Sequence, residues 1–232
     1  ITTGYSSPRP GSRRSLIDRA VFLFLSGYAF SLIWAADILH FYAVFILIGV
    51  FLTAGSNRLL VATALAFWMV SFIQFFEIYD TLQDDLYFDV ITAELINLFF
   101  TGYYPVFPWA AYFILGMFLG RLDFQNKNLR MKVMTMGFFL LIASETLSMS
   151  FAILSEAIEL ATPAHPDSKV GWIHYLAWIM EIDLTAPTPF SIISGIGGGI
   201  ILVMSGIFLS TIQRRKWIEY LIIGGQNTLT LY

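Results

Sequence analysis

Glu145 stands in the middle of the apolar run FFLLIASETLSMSF, with Ser144, Thr146, Ser148 and Ser150 around it. An ionisable group in such a run needs a partner or a task. Glu145 therefore reads either as a carboxylate facing a polar cavity, for proton handling or substrate binding, or as a protonated acid bonded to a neighbouring helix. Asp37 and His40 lie three apart at the start of another apolar run, so a helix there puts both on one face. Asp37 can cap that helix and favour its dipole, or act in catalysis. His40 is a candidate general base, set against a plain hydrogen-bonded packing role. His165 and His174, nine apart with Asp167 between them, are too few and too widely spaced for a metal site, and no metal is expected. GIGGG at Gly195–Gly199 lacks the Lys–Ser/Thr of a phosphate loop and any preceding strand, which leaves close helix packing as its role.

The elements that must hold these residues follow from composition. Of 232 residues, 57% are hydrophobic and 12% charged, and 22 are Phe. Soluble domains carry about 25% charge. A mean hydropathy of +0.73 and a pI near 5.5 exclude a soluble globule, a disordered chain and a nucleic-acid binder. The absence of Cys removes disulfides and thiolate metal sites. The expected fold is all-α: a polytopic membrane helix bundle, one transmembrane domain over residues 1–232.

Crossing roughly 30 Å of hydrocarbon takes about 20 apolar residues. The expected spans are Leu16–Trp34, Asp37–Ala54, Arg58–Phe76, Pro108–Leu122, Lys132–Leu154 and Pro189–Ile212, six in all, with a seventh starting near Trp217. The fourth is short unless Phe99–Phe107 also enters the membrane. Residues 77–107 and 155–188 are expected as extracytoplasmic loops, the first with a surface helix within Glu77–Asn97, the second with a short helix around Trp172–Ile182. With Arg13, Arg14 and Arg19 inside, alternation places 12 of the 13 Lys and Arg on the cytoplasmic side, leaving Lys169 outside. The positive-inside rule favours that orientation. No small-residue cleavage site follows the first run, so it is a span and not a signal peptide.

Four strings in order carry more than composition: RRSLIDRAVFLFLSG, WAADILHFYAVFILIGVFL, GYYPVFPWAAYFILGMFLGRL, and PTPFSIISGIGGGIILVMSGIFL followed by GGQNTLTLY. Together they resemble the transmembrane acyltransferases related to heparan-α-glucosaminide N-acetyltransferase and its bacterial relatives. The matching features are the Trp34–Asp37–Ile38–Leu39 turn, the Pro-Val-Phe-Pro-Trp entry leading to Gly116, Gly120 and Arg121, and the Gly225–Asn227–Thr228–Leu229–Tyr232 start of a late span. The resemblance covers nearly the whole chain. It implies transfer of an acyl group, acetyl first of all, from cytoplasmic acyl-CoA to a sugar or other acceptor at the far side of a bacterial inner membrane. Asp37, His40 and Glu145 are then the candidate catalytic residues, and Arg14, Arg19, Arg121 and Asn227 the candidates for holding acyl-CoA. The expected partners are the lipid bilayer, acyl-CoA, a glycan acceptor and a second copy of the chain in a homo-oligomer. In that family the catalytic His comes earlier and a Leu–His pair follows the late Tyr. Neither lies between Ile1 and Tyr232, so the chain reads as truncated at both ends.

Other functions compete. A transporter or channel for a polar solute would use Glu145 as its coupling carboxylate, and a membrane scaffold would need no chemistry. Inverted repeats, the usual mark of transport, are absent from the sequence.

Overall fold

The computed structural model describes residues 12–75, 90–161, 176–177, 179–182 and 188–211. All regular structure among them is helical. In chain order the helices are α1 (Ser12–Ser31), α2 (Leu39–Leu52), α3 (Asn57–Phe75), α4 (Val90–Ile96) running into a π-helical turn (Asn97–Thr101), α5 (Val106–Leu119), α6 (Lys127–Ala161) and α7 (Pro189–Thr211). Each of the six expected spans coincides with one of them. The expected seventh, all of residues 77–89, and residues 172–175 and 178 of the expected short helix lie outside the described residues.

Length separates them. Among the described residues, α6 and α7 are the helices long and apolar enough to cross a membrane, and a third such span arises if the π-turn and α5 count with α4 as one bent unit. Two or three such candidates thus stand beside the six spans expected. At 1.5 Å per residue, the 14-residue α2 and α5 reach only about 21 Å. The charges of Arg13, Arg14, Asp18 and Arg19 interrupt the apolar run of α1. In α6 the difference goes the other way. It is 35 residues long, so Ser155–Ala161 are helical and not loop. Its start lies ahead of Lys132 because Asn126 accepts from the backbone N–H of Asn128 and Leu129, at 3.0 and 3.3 Å.

The segment from residue 99 to 107 is neither a plain loop nor a straight helix. The α4–π unit meets α5 at 51°. Pro108 disfavours helical backbone at the residue before it, and Phe107 sits at φ −92°, ψ 118°. Tyr103 and Tyr104 lie in the break between the two, Tyr104 packed against the core and Tyr103 exposed.

Packing falls into two clusters. Phe41, Phe45, Leu60, Ala64, Val106, Ala110 and Ile114 join α2, α3 and α5. Val133, Ile200 and Met204 join α6 and α7. Within the glycine run, a Cβ on Gly197 would stand 2.6 Å from the Leu141 nitrogen and 2.7 Å from the Gly137 oxygen, so α6 and α7 touch backbone to backbone there. Outside the clusters the surface is strongly apolar, with Phe51 83% and Leu32 82% exposed.

Candidate functional site

Two chambers open at the end of the bundle where α2 and α7 begin. The first, about 630 Å³, takes Tyr42 from α2, Tyr104, Trp109 and Tyr112 from the α5 region, Glu145 from α6 and Ser194 from α7. The second, about 520 Å³, takes Tyr28 from α1, His40 and Phe41 from α2, Glu94 from α4, Asn97 from the π-turn, and Tyr103. Both volumes are those of ordinary small-ligand sites.

The first chamber is built around Glu145. The buried Ser194 donates to Glu145 Oε1 at 2.7 Å, across two helices. The serines beside Glu145 in sequence do not serve it: Ser144 donates to Leu140 O and Ser150 to Thr146 O, closing onto their own helix. Tyr112 donates to Ser191 O at 3.1 Å. Ser191 in turn is held by Thr188, whose Oγ1 accepts its N–H at 3.0 Å and caps α7 ahead of Pro189. Trp109 lies between Tyr104 and Tyr112, with ring centroids 5.5 and 5.6 Å away. Its Nε1–H is buried with no partner among the described residues. A buried donor without an acceptor is costly, and the residue that carries it lines this chamber.

His40 lines the second chamber and is paired with Asp37. Asp37 is 1% exposed. Its Oδ2 accepts from the Leu39 N–H at 3.0 Å, so it caps α2, and lies 3.5 Å from His40 Nδ1. Its Oδ1 has no partner among the described residues. Gly27 of α1 closes over the pair: a Cβ there would fall 2.4 Å from the His40 backbone nitrogen and 2.9 Å from Asp37 Oδ2. A carboxylate on Nδ1 orients an imidazole with its Nε2 as the acceptor.

The sequence candidates therefore divide. Asp37 and His40 come together, as the helical spacing predicts. Glu145 does not join them, because Ile38 and Tyr42 turn one face of α2 to its chamber while His40 and Phe41 turn the other. Arg14 and Arg19 are exposed on α1, at the opposite end from the chambers. Arg121 sits at that opposite end too, and its guanidinium donates to the carbonyls of Leu52, Thr53 and Gly55, at 3.3, 2.8 and 2.5 Å, and to Asn57 Oδ1 at 3.2 Å. It ties the end of α5 to the α2–α3 turn. Asn227, His165, Asp167 and His174 lie outside the described residues. Ser194 and Tyr112 carry no signal of their own in the sequence, and Trp109 stands in the Pro-Trp entry without being among the expected site residues.

No curated protein and no solved structure matches the chain. The family model for heparan-alpha-glucosaminide N-acetyltransferase, catalytic, matches residues 16–153, which is more than half of the chain and takes in α1 through most of α6, with Asp37, His40, Trp109 and Glu145 inside the match. The chain belongs to the heparan-alpha-glucosaminide N-acetyltransferase catalytic family.

Proposed function

We propose that this chain is a membrane-embedded part of an acyltransferase that moves an acetyl group from acetyl-CoA to a sugar amine or hydroxyl on the extracytoplasmic side. The observation that carries this reading is the Glu145 chamber in a chain of this family: a carboxylate oriented by Ser194, an unpartnered indole N–H, and aromatic walls. Aromatic faces suit the apolar face of a sugar ring, and the carboxylate and indole suit its hydroxyls. Glu145 accepts the proton of the attacking group, and Trp109 donates to a substrate oxygen. The Asp37–His40 pair supplies a second proton acceptor.

In this reading the six helices that coincide with the expected spans lie in a bacterial inner membrane as one domain, the shorter ones met by local thinning of the bilayer. The basic N-terminal segment is cytoplasmic. Arg14 and Arg19 meet the phosphates of acetyl-CoA, as does Asn227 by its motif. Family membership favours this enzyme over a transporter that would use Glu145 for coupling.

The test is direct. Full-length protein in proteoliposomes is given radiolabelled acetyl-CoA and methyl α-D-glucosaminide. Label appearing in the sugar supports the reading; no labelled acceptor, from protein shown to be folded, overturns it.

A further inference from the structure

The wall between the two chambers is one aromatic pair thick. His40 and Phe41 of α2 face one chamber, and Ile38 and Tyr42 face the other. Tyr103 and Tyr104, consecutive in the chain, divide in the same way. The crossing point is the edge-on contact of Phe41 with Tyr104, ring centroids 6.1 Å apart. Phe41 is 1% exposed and lies 4.0 Å, ring to ring, from His40. Tyr104 leans on Trp109 in the Glu145 chamber. A continuous file of rings thus runs from His40 to Tyr112.

We propose that the chamber around His40 is the second substrate compartment of the same reaction, and that the Phe41–Tyr104 pair is the partition that keeps the two substrates apart until both are bound. The proposal rests on the acetyltransferase reading above. Each chamber has the volume of one ligand site, and each holds its own proton acceptor, Glu145 in one and His40 in the other. Transfer requires the attacking atom and the thioester carbon within about 3–3.5 Å of each other, which a wall of two rings between them forbids. The residue placed to yield is Tyr104. It lies in the short link between the π-turn and α5, where the chain bends by 51°, and π-turns recur at functional sites. With the rings parted, the acceptor oxygen or nitrogen bonds to the acetyl carbon and the carbon–sulfur bond breaks. The acceptor's proton passes to the nearer of the two protein acceptors, and the CoA thiolate leaves and takes up a proton.

A partition also keeps water in one chamber from the thioester in the other, and this gives a readout that a packing role alone would not move. In full-length protein supplied with acetyl-CoA, with and without methyl α-D-glucosaminide, two rates are measured: transfer to the sugar and hydrolysis without it. Tyr104→Ala should raise the ratio of hydrolysis to transfer by about tenfold or more, because water then shares one merged space with the thioester. Tyr104→Phe, which keeps the ring, should hold the wild-type ratio. The ratio does not depend on how much protein accumulates, and Phe41→Leu gives the same reading if Tyr104→Ala does not fold. A wild-type ratio in both Tyr104→Ala and Phe41→Leu overturns the partition and leaves the acetyltransferase reading standing. Absence of any transfer by the wild type overturns that reading instead, and the partition with it.

Discussion

His40 and Tyr42 stand two residues apart on α2 and face different chambers. Helical geometry demands this: two residues apart means about 200° around the axis, so one turn of helix serves as a wall with two working sides. Phe41 on the His40 side and Phe45 on the Tyr42 side both belong to the cluster that joins α2 to α3 and α5, which holds the wall in place.

The Glu145 chamber gives the sharpest functional expectation. Glu145→Gln keeps the volume and an acceptor for Ser194 but cannot take up a proton, so acetyl transfer should fall about 10²-fold or more. Ser194→Ala removes one orienting hydrogen bond worth about 1 kcal/mol, so its loss should be about fivefold. Turnover of both variants at equal expression checks this. Equal activities for Glu145→Gln and the wild type would leave Glu145 a structural role.

Much of this was legible in the sequence, for physical reasons that differ by residue. Helix positions came through because apolar runs, Pro108, Thr188–Pro189 and the charge asymmetry are local signals. The pairing of Asp37 with His40 came through because three residues apart on a helix is contact. What stayed hidden depends on tertiary packing. The partner of Glu145 is 49 positions away, while its polar neighbours bond their own helix. The 51° break between Thr101 and Val106, in which Tyr103 and Tyr104 part, cannot be read from an apolar string. Nor does the sequence show that Arg121 is engaged by carbonyls of another turn, since an arginine at a helix end looks the same whether it meets phosphate or backbone.

Two neighbouring glycines should respond in opposite directions. A Cβ at Gly197 meets backbone of α6 at 2.6 and 2.7 Å, so Gly197→Ala must push α6 and α7 apart. Overpacking of this kind costs about 1–3 kcal/mol. At Gly198 an added Cβ meets nothing within 4 Å, and Gly→Ala in a helix gains about 0.5–1 kcal/mol. Thermal unfolding in one detergent should rank Gly198→Ala above wild type and Gly197→Ala below it. The reverse order would contradict the backbone contact.

Orientation is tested with the native absence of cysteine. Single cysteines at Gln83 and Asp167 should react with an impermeant thiol reagent in intact cells, and one at Asn126 should not, because the opposite orientation would carry 12 of the 13 basic residues outward. Labelling at Asn126 alone would reverse the topology.

The arginines at the far end of the bundle should separate by role. Arg121 spans three carbonyls and an amide oxygen with one planar fork, a geometry that a lysine ammonium cannot reproduce. Hydrogen bonds from a charged donor contribute about 1.5–3 kcal/mol, so Arg121→Lys should lower the unfolding temperature by several degrees. Surviving protein should bind acetyl-CoA with unchanged affinity.

Arg14 and Arg19 should behave in the opposite way. They are exposed on α1, and lysine keeps the positive charge that sets topology and meets anionic lipid at about 1 kcal/mol per residue. What lysine loses is the pair of parallel hydrogen bonds that a guanidinium makes to phosphate oxygens. If these two residues hold the phosphates of acetyl-CoA, the double variant Arg14→Lys with Arg19→Lys should insert and melt like the wild type. Its affinity for acetyl-CoA should fall severalfold, and the loss should shrink as added salt screens the contact in both proteins. Calorimetric titration of full-length protein measures this, with Arg121→Lys as the matched comparison. Unaltered affinity in the double variant would remove Arg14 and Arg19 from the donor site and leave them the topological role alone.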